Sequence, residues 1–237
     1  MTSRKEFIVA GAMAAAFPVV AEAAPPPAVP ESKTPWPKFV FDTKAFDSAL
    51  GGPQAHKHLF STVQIEGGTV FGMVENTLAG YKQIGVPMTD VLPAVVLYHG
   101  ISIAMGFDDH AWDTYFIPAV AKMKTSTDAI DKKIVAEFDG VIKPGAKGNP
   151  FLHAKGGDDD DSIETLVQQN GMRLFMCNLA TRGVAEHLAK LLGPKALDVY
   201  TDLSSHAVPN AVLAPSGVWA IHAVQQHGFT LLPVTVS

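Results

Sequence analysis

Short apolar runs alternate with segments of helical periodicity along most of the chain. Five runs predict β-strands, at residues 58–65, 94–98, 172–177, 210–214 and 229–234. The second run is apolar throughout, which is typical of a parallel strand that is covered on both faces. Strands that alternate with helices pair in a parallel sheet through helical crossovers. The pattern therefore predicts an α/β fold with three α/β/α layers and a mainly parallel five-stranded sheet.

Four segments place apolar residues three or four positions apart, the spacing of one helical face: residues 69–83, 161–171, 179–192 and 216–228. Each segment ends at a glycine or just before one, and glycine commonly terminates a helix. Asp161 and Glu164 have the spacing of a capping box at the start of the second segment. Ser216 can cap the last segment, in which Val218 is expected to point inward.

The alternation breaks down between residues 111 and 160, which we interpret as an insertion that is part helical and part mobile. Four consecutive aspartates, residues 158–161, close this stretch. A calcium loop spaces its oxygen ligands so that they converge on one ion, which four adjacent side chains cannot do. We therefore expect a solvated acidic run that favours the N-terminus of the following helix.

The first 23 residues have the form of an export signal. Arg4 and Lys5 precede a mildly apolar stretch, and Ala21 and Ala23 form a small-x-small cleavage site. The motif SRKEFI resembles a twin-arginine signal with lysine in place of the second arginine. We therefore expect a periplasmic or otherwise exported protein after removal of the signal peptide.

The remainder divides into a proline-rich extension, residues 24–56, and a domain, residues 57–237. The extension is expected to be an extended tether. The formal net charge of the chain is −5 and no basic stripe is present, which argues against a nucleic-acid partner. No second apolar segment approaches the length of about 20 residues that a membrane span needs, so none is predicted.

Cys177 is the only cysteine in the chain, so it has no intramolecular disulfide partner. It ends the third predicted strand, just before a helix that Asn178 or Thr181 can cap. Reactive groups gather beyond the carboxyl ends of parallel strands, and the free amides at a helix start stabilise a thiolate. The alternative is that Cys177 is a small buried hydrophobe, as single cysteines often are.

Two segments resemble the DsrE/DsrF-like family: NGMRLFMCNLATRGV, which contains Cys177, and AVLAPSGVWAIHAVQQHGFTLLPV. VVLYHG is also similar to the second strand of that family. The resemblance covers residues 59–106 and 163–234, and the insertion and the export signal are departures from the cytoplasmic sulfur-relay members. It implies a three-layer α/β/α domain that assembles as a homo-oligomer, a trimer or hexamer. It also implies that Cys177 accepts a sulfane sulfur as a persulfide and passes it to a partner.

Two further side chains are candidates to support the thiol. Arg182 follows Cys177 by five residues and can face either the cysteine or the solvent, a surface charge being the simpler account. His99 ends the second strand and would share the same edge of the sheet. It could act as an acid–base group or hydrogen-bond donor, or it could simply be satisfied by a local backbone carbonyl.

Imidazoles and carboxylates near the ends of the first two strands also raise the possibility of a metal site. The candidate ligands are His56, His58, Asp109 and His110. Imidazole with carboxylate suits zinc and other transition metals, but the chain has no compact motif such as H-E-x-x-H, so these residues are weak candidates and no metal site is predicted.

Two functions therefore remain open. The first is an exported sulfur carrier or sulfurtransferase that acts through Cys177. Its partners would be a small sulfur compound or a protein that donates or accepts sulfur. The second is a non-catalytic, oligomeric module of the same fold that binds a small ligand or a metal. No cofactor is predicted.

Overall fold

The structure, a computed structural model, describes residues 34–157 and 160–234. Its five strands are β1 His56–Thr62, β2 Val91–Leu97, β3 Arg173–Cys177, β4 Ala211–Ala214 and β5 Thr230–Pro233. They form one sheet in the spatial order β4-β3-β2-β1-β5, and every neighbouring pair is parallel. The predicted α/β class with a parallel five-stranded sheet is confirmed.

The α-helices of the described residues are α1 Thr43–Leu50, α2 Thr69–Gln83, α3 Asp109–Ala111, α4 Ile117–Met123, α5 Ala129–Glu137, α6 Ile163–Gln168, α7 Asn178–Leu192, α8 Ala196–Ser205 and α9 Gly217–Gln226. Short 3-10 helices lie at Glu66–Gly68, Met88–Asp90 and Gly100–Gly106, and a π-helical turn, Trp112–Phe116, joins α3 to α4. Within the described part of the chain, no helix combines the length and the apolar character needed to cross a membrane.

Helices cover both faces of the sheet. Successive side chains of a strand point to opposite faces, so Val95 and Leu97 enter one core, whereas Ala94 and Val96 enter the other. Helices α2 to α8 contribute to the first core, and α1 and α9 close the second. This arrangement gives the three α/β/α layers.

The helices on the first face follow the predicted periodicity closely. Helix α2 has the predicted bounds, and α7 begins one residue before its prediction. The predicted start of α6 is wrong, because Ser162 rather than Asp161 caps it, accepting a hydrogen bond from the backbone N–H of Thr165 at 3.2 Å. Asp161 instead lies 2.8 Å from the ammonium group of Lys155.

Helix α9 is correctly located, but one of its predicted contacts is wrong. Ser216 caps the helix as predicted, accepting from the backbone N–H of Trp219 at 3.1 Å. Val218, however, is 70% exposed rather than inward. Gly217 lies against the chain just after β2, where a Cβ atom would overlap Tyr98. A small residue, not a large apolar one, therefore makes the close contact at the start of this helix.

The proline-rich extension contains α1, which the sequence pattern did not predict. Phe46 and Leu50 of this helix are buried in the second core, and the ring of Phe46 lies 5.0 Å from that of Phe175. Residues 34–56 thus pack on the domain instead of forming an extended tether. The predicted export signal, residues 1–23, lies outside the described residues.

Buried polar anchors fix the insertion to the sheet domain. Trp112 is fully buried, and its Nε1 donates to the carbonyl of Ala104 at 2.8 Å. The side-chain amide of Asn149 is also buried and donates to the carbonyls of Met105 at 2.9 Å and Phe107 at 2.6 Å. The insertion is therefore part of the core.

The acidic run ends in a buried carboxylate. Residues 158–159 lie outside the described part of the chain, but Asp160 is buried and accepts hydrogen bonds from the backbone N–H groups of Lys155, Gly156 and Ser162 at 2.7–2.9 Å. Burial alone would raise the pKa of Asp160, yet these hydrogen bonds hold it well below its usual range. The expectation of a solvated run is wrong for Asp160.

Candidate functional site

Cys177 lies where β3 meets α7. It is the last residue of the strand and the N-cap of the helix, and its Sγ accepts a hydrogen bond from the backbone N–H of Ala180 at 3.3 Å. The hydroxyl of Thr181 donates to the carbonyl of Cys177 at 3.0 Å and so fixes the turn from strand to helix. The sulfur therefore receives one of the amides that have no carbonyl partner at the start of a helix. This is the carboxyl edge of the sheet, where the sequence placed the residue.

A cavity of about 600 Å³ lies beside the sulfur. Cys177 is only 4% exposed, and it is one of the residues that line this cavity. Helix α7 forms one wall, and α4 and α5 of the insertion form the other. Most of the lining is apolar and includes Ile101, Phe116, Val120, Met123, Ile134 and Val184. The site is thus a thiol in largely apolar surroundings.

Polar side chains also line the cavity, and they include His99, Lys133, Glu137 and His187. Nε2 of His187 in α7 lies 3.1 Å from Oδ1 of the buried Asp131 in α5, within ion-pair distance but without the geometry of a hydrogen bond. Glu137 accepts from the backbone N–H of Ile65 at 2.9 Å. These contacts hold α5 against both α7 and the loop after β1.

The predicted supporting residues have different roles. His99 lines the same cavity as Cys177, so the structure brings these two predicted residues together. Asn178 is buried and accepts a hydrogen bond from the hydroxyl of Tyr200 at 2.7 Å. Asn178 and Thr181 do not cap α7, because Cys177 occupies that position itself. Their contribution is to fix the backbone that carries the thiol.

Arg182, for which the sequence leaves open a role beside the sulfur or a surface charge, contacts the segment before α1. Its Nη2 donates to the carbonyl of Pro37 at 2.9 Å, and its guanidinium lies 5.7 Å from the ring centres of both Trp36 and Tyr200. Cation–π contacts of this kind are favourable. Arg182 therefore attaches the segment before α1 to helix α7 instead of supporting the sulfur.

The four candidate metal ligands do not come together. His56 and His58 lie at the amino end of β1, whereas Asp109 and His110 follow the carboxyl end of β2. The ring of His56 lies 4.6 Å from that of Tyr81, whose hydroxyl is 2.7 Å from Nε2 of His58. Burial, and then the neighbouring His56, lower the pKa of His58.

Asp109 and His110 belong to separate clusters although they are adjacent. Oδ2 of Asp109 lies 2.7 Å from Nε2 of His153. Burial would raise the pKa of Asp109, but this hydrogen bond lowers it, and the same bond raises the pKa of His153. His110 instead lies 3.0 Å from Asp202, with its ring centre 4.0 Å from that of His206.

Sequence analysis missed most of the cavity. Along α7, one face is formed by Ala180, Gly183, Val184 and His187, at the three- and four-residue spacing of a helical stripe. This spacing is the feature of the sequence from which that wall of the cavity could have been predicted. The opposite wall comes from the insertion, whose sequence does not indicate which edge of the sheet it covers.

Comparisons of the chain with models of protein families, with curated proteins and with solved structures gave no match. The resemblance to the DsrE/DsrF-like family therefore stays a prediction. The interpretation of the site depends on its own geometry: a buried sulfur with an N–H donor, an apolar cavity beside it, and a histidine–carboxylate pair about 15 Å further along α7.

Proposed function

We propose that the protein is an exported sulfur carrier that accepts a sulfane sulfur on Cys177 as a persulfide. The observation that carries this proposal is that Cys177 lines the cavity of about 600 Å³ while its Sγ accepts the N–H of Ala180 at 3.3 Å. The thiolate is the attacking form of cysteine, and the amide at the start of α7 lies within hydrogen-bond distance of this sulfur. The resemblance to DsrE/DsrF-like proteins, whose matching cysteine accepts sulfur in the sulfur-relay members, supports the same role.

The transfer is an exchange between sulfur atoms without net oxidation. The thiolate of Cys177 attacks the outer sulfur of a hydropersulfide, R–S–SH. A bond forms between Sγ and that sulfur while the S–S bond of the donor breaks. The leaving R–S⁻ takes the proton of the transferred S–H group, which leaves Cys177 as a persulfide anion and releases R–SH. A nucleophilic acceptor then removes the outer sulfur and regenerates the thiolate.

The lining of the cavity indicates the class of donor. A small dianion such as thiosulfate would lose its hydration against the apolar side chains of α4, α5 and α7. An alkyl or aryl group would instead gain free energy by burying apolar surface there. We therefore infer that the donor is an organic persulfide or polysulfide.

The same lining supports a second function, the non-catalytic binding of a small apolar ligand by a homo-oligomeric module. In that case Cys177, which is only 4% exposed, is one more buried group of the wall. The two functions differ in what they require of the sulfur. A carrier cannot work without Cys177, whereas a binding module needs only the shape of the cavity.

Mass spectrometry of the intact protein separates these functions. Reduced protein incubated with an organic hydropersulfide should gain about 32 Da, one sulfur atom, and lose it again on treatment with dithiothreitol. The variant Cys177→Ser should gain nothing. An apolar fluorescent probe such as anilinonaphthalene sulfonate should bind to both proteins, because the substitution leaves the cavity open.

Gly183 offers a matched pair of variants, since it lines the cavity and a Cβ atom there would meet no other atom within 4 Å. Gly183→Ala should react like the wild type, whereas Gly183→Phe should slow sulfur uptake and weaken probe binding by occupying part of the cavity. Probe binding without any sulfur adduct on the wild-type protein would establish the second function in place of the first. Absence of both would contradict the two proposals together.

A further inference from the structure

Two imidazoles and one carboxylate meet between α3 and the C-terminal end of α8. Nε2 of His110 lies 3.0 Å from Oδ2 of Asp202, and Nε2 of His206 lies 3.6 Å from Oδ1 of the same side chain. One ligand atom from each of the three residues lies within 4.8 Å of the other two. The two rings are stacked, with centres 4.0 Å apart and planes inclined by 28°. The three side chains thus direct their ligand atoms into one small volume.

These separations are close to those between the ligands of one metal ion. Zinc binds imidazole nitrogen and carboxylate oxygen at about 2.1 Å, so neighbouring ligands of a tetrahedral site lie about 3.4 Å apart. The N···O distances of 3.0 and 3.6 Å, which run to the two different oxygens of Asp202, lie on either side of that value. An ion could therefore bind between the three residues after rotations of their side chains.

A neighbouring carboxylate orients one of the rings. Oδ2 of Asp108 lies 2.9 Å from Nδ1 of His206, which places the proton of the neutral ring on Nδ1 and leaves the lone pair of Nε2 facing Asp202. Asp108 is itself fixed, because its Oδ1 accepts the backbone N–H of Ala111 at 3.1 Å as the cap of α3. A carboxylate behind a ligating histidine is the usual support of a metal site.

We propose that His110, Asp202 and His206 bind a divalent transition metal of the zinc class, with water as the fourth ligand. Two nitrogens and one carboxylate oxygen suit zinc, whereas magnesium and calcium prefer ligand sets made of oxygen alone. The side chains are 47% exposed for His110 and 32% exposed for Asp202 and His206, so solvent can supply the fourth ligand. The site uses no residue of the cavity beside Cys177 and is independent of the function proposed there.

Titration with zinc tests this site. The full-length protein without a histidine tag, freed of metal with a chelator, is titrated with Zn²⁺ in competition with a chromogenic chelator. We expect one equivalent to bind. His206→Ala and Asp202→Asn should abolish this binding, and the second variant keeps the size and much of the hydrogen bonding of the side chain. Asp108→Asn should weaken binding by about 10- to 100-fold, the usual effect of removing such a support.

Two control variants locate the metal. His222→Ala removes an exposed histidine of α9 and should bind zinc as the wild type does. Cys177→Ser should also bind normally, which keeps this result separate from the sulfur experiments. Circular dichroism checks that each variant is folded. The proposal is wrong if the wild type binds no zinc, or if folded Asp202→Asn and His206→Ala bind it with unchanged affinity.

Discussion

The sheet framework and the inserted helices of this protein are held in place in different ways. Framework helices bury regular apolar stripes, as α2 does with Val70, Val74 and Leu78. The insertion also buries apolar side chains, but two of its buried residues, Trp112 and Asn149, in addition donate hydrogen bonds to backbone carbonyls in and just after the 3-10 helix Gly100–Gly106. The framework helices are therefore held by apolar packing, whereas the insertion combines apolar packing with specific hydrogen bonds.

The two regions also contribute different parts of the site. The framework places Cys177 at the edge of the sheet and gives it the amide of α7. The insertion supplies the opposite wall of the cavity and so controls what can reach the sulfur. The chemistry of a fold depends on the site that it carries. In this protein, that site needs both regions.

The largest expected effect comes from removing the main anchor of the insertion. Trp112→Ala should lower the free energy of unfolding by about 3–5 kcal/mol, because it deletes a fully buried ring and its hydrogen bond. Urea unfolding measures this loss, and binding of the apolar probe should be lost as well. Leu59→Ala, in the core on the other face, should cost about 2–5 kcal/mol and leave probe binding intact in the folded protein. Equal loss of probe binding in both variants would contradict the proposal that the insertion, and not the core on the other face, forms the wall of the cavity.

The second anchor should have a somewhat smaller effect. Asn149→Ala leaves the carbonyls of Met105 and Phe107 and the N–H of Phe151 without their partner, which should cost about 2–3 kcal/mol in urea unfolding. Asn149→Asp has the same shape but cannot donate, so it should not restore the loss. Full stability of the aspartate variant would show that these donated hydrogen bonds do not hold the insertion.

A framework position gives the next effect. Gly217→Ala should destabilise the protein by about 1–2 kcal/mol, because the new methyl group would overlap Tyr98, a residue that lines the cavity. Gly80→Ala is the matched control in α2, where a Cβ atom meets nothing within 4 Å, and it should stabilise the protein by about 0.5–1 kcal/mol. Thermal unfolding of the two variants should therefore shift in opposite directions, and shifts of the same sign would contradict the close approach of α9.

The smallest effect concerns an exposed pair at the rim of the insertion. The raised pKa of His153 contributes stability that is present below pH 6.5 and is lost as the pH rises through the raised value. The lowered pKa of Asp109 contributes stability that is present above pH 3.8 and is lost as the pH falls through the lowered value. His153→Gln should therefore lower the free energy of unfolding most between pH 3.8 and pH 6.5. Since His153 is 59% exposed, the cost should be only a few tenths of a kcal/mol. A difference between the two proteins that grows above pH 8 would count against this pairing.

Periodicity predicted the framework because its elements are amphipathic over their own lengths. It failed for α1, which lies in a proline-rich segment, and for α8, which was not recognised after the glycine and proline that end α7. The error at Val218 has a simple cause. Helical periodicity predicts that the apolar residues of a helix face the sheet. Helix α9, however, approaches Tyr98 so closely at its start that only glycine fits at position 217.

Only the residues of the site that lie at the ends of the strands could be predicted from the sequence. Cys177 ends β3 and His99 lies just after the neighbouring parallel strand β2, so the sheet brings them to one edge. The contact between His110 and Asp202 joins residues 92 positions apart, and no local pattern encodes it. The position of Arg182 likewise depends on its contacts with the segment before α1, whose sequence has no recognisable periodicity.

The packing of the chain's early segment against α8 and β3 has a practical consequence for recombinant work. Trp36 packs 5.3 Å from the ring of Tyr200, and Phe46 packs 5.0 Å from that of Phe175. A shortened protein that starts at residue 57 would uncover both rings, and newly exposed apolar patches promote self-association. Trimming should therefore stop before Thr34, so that crystallisation and assembly measurements are made on a molecule in which both rings are still covered.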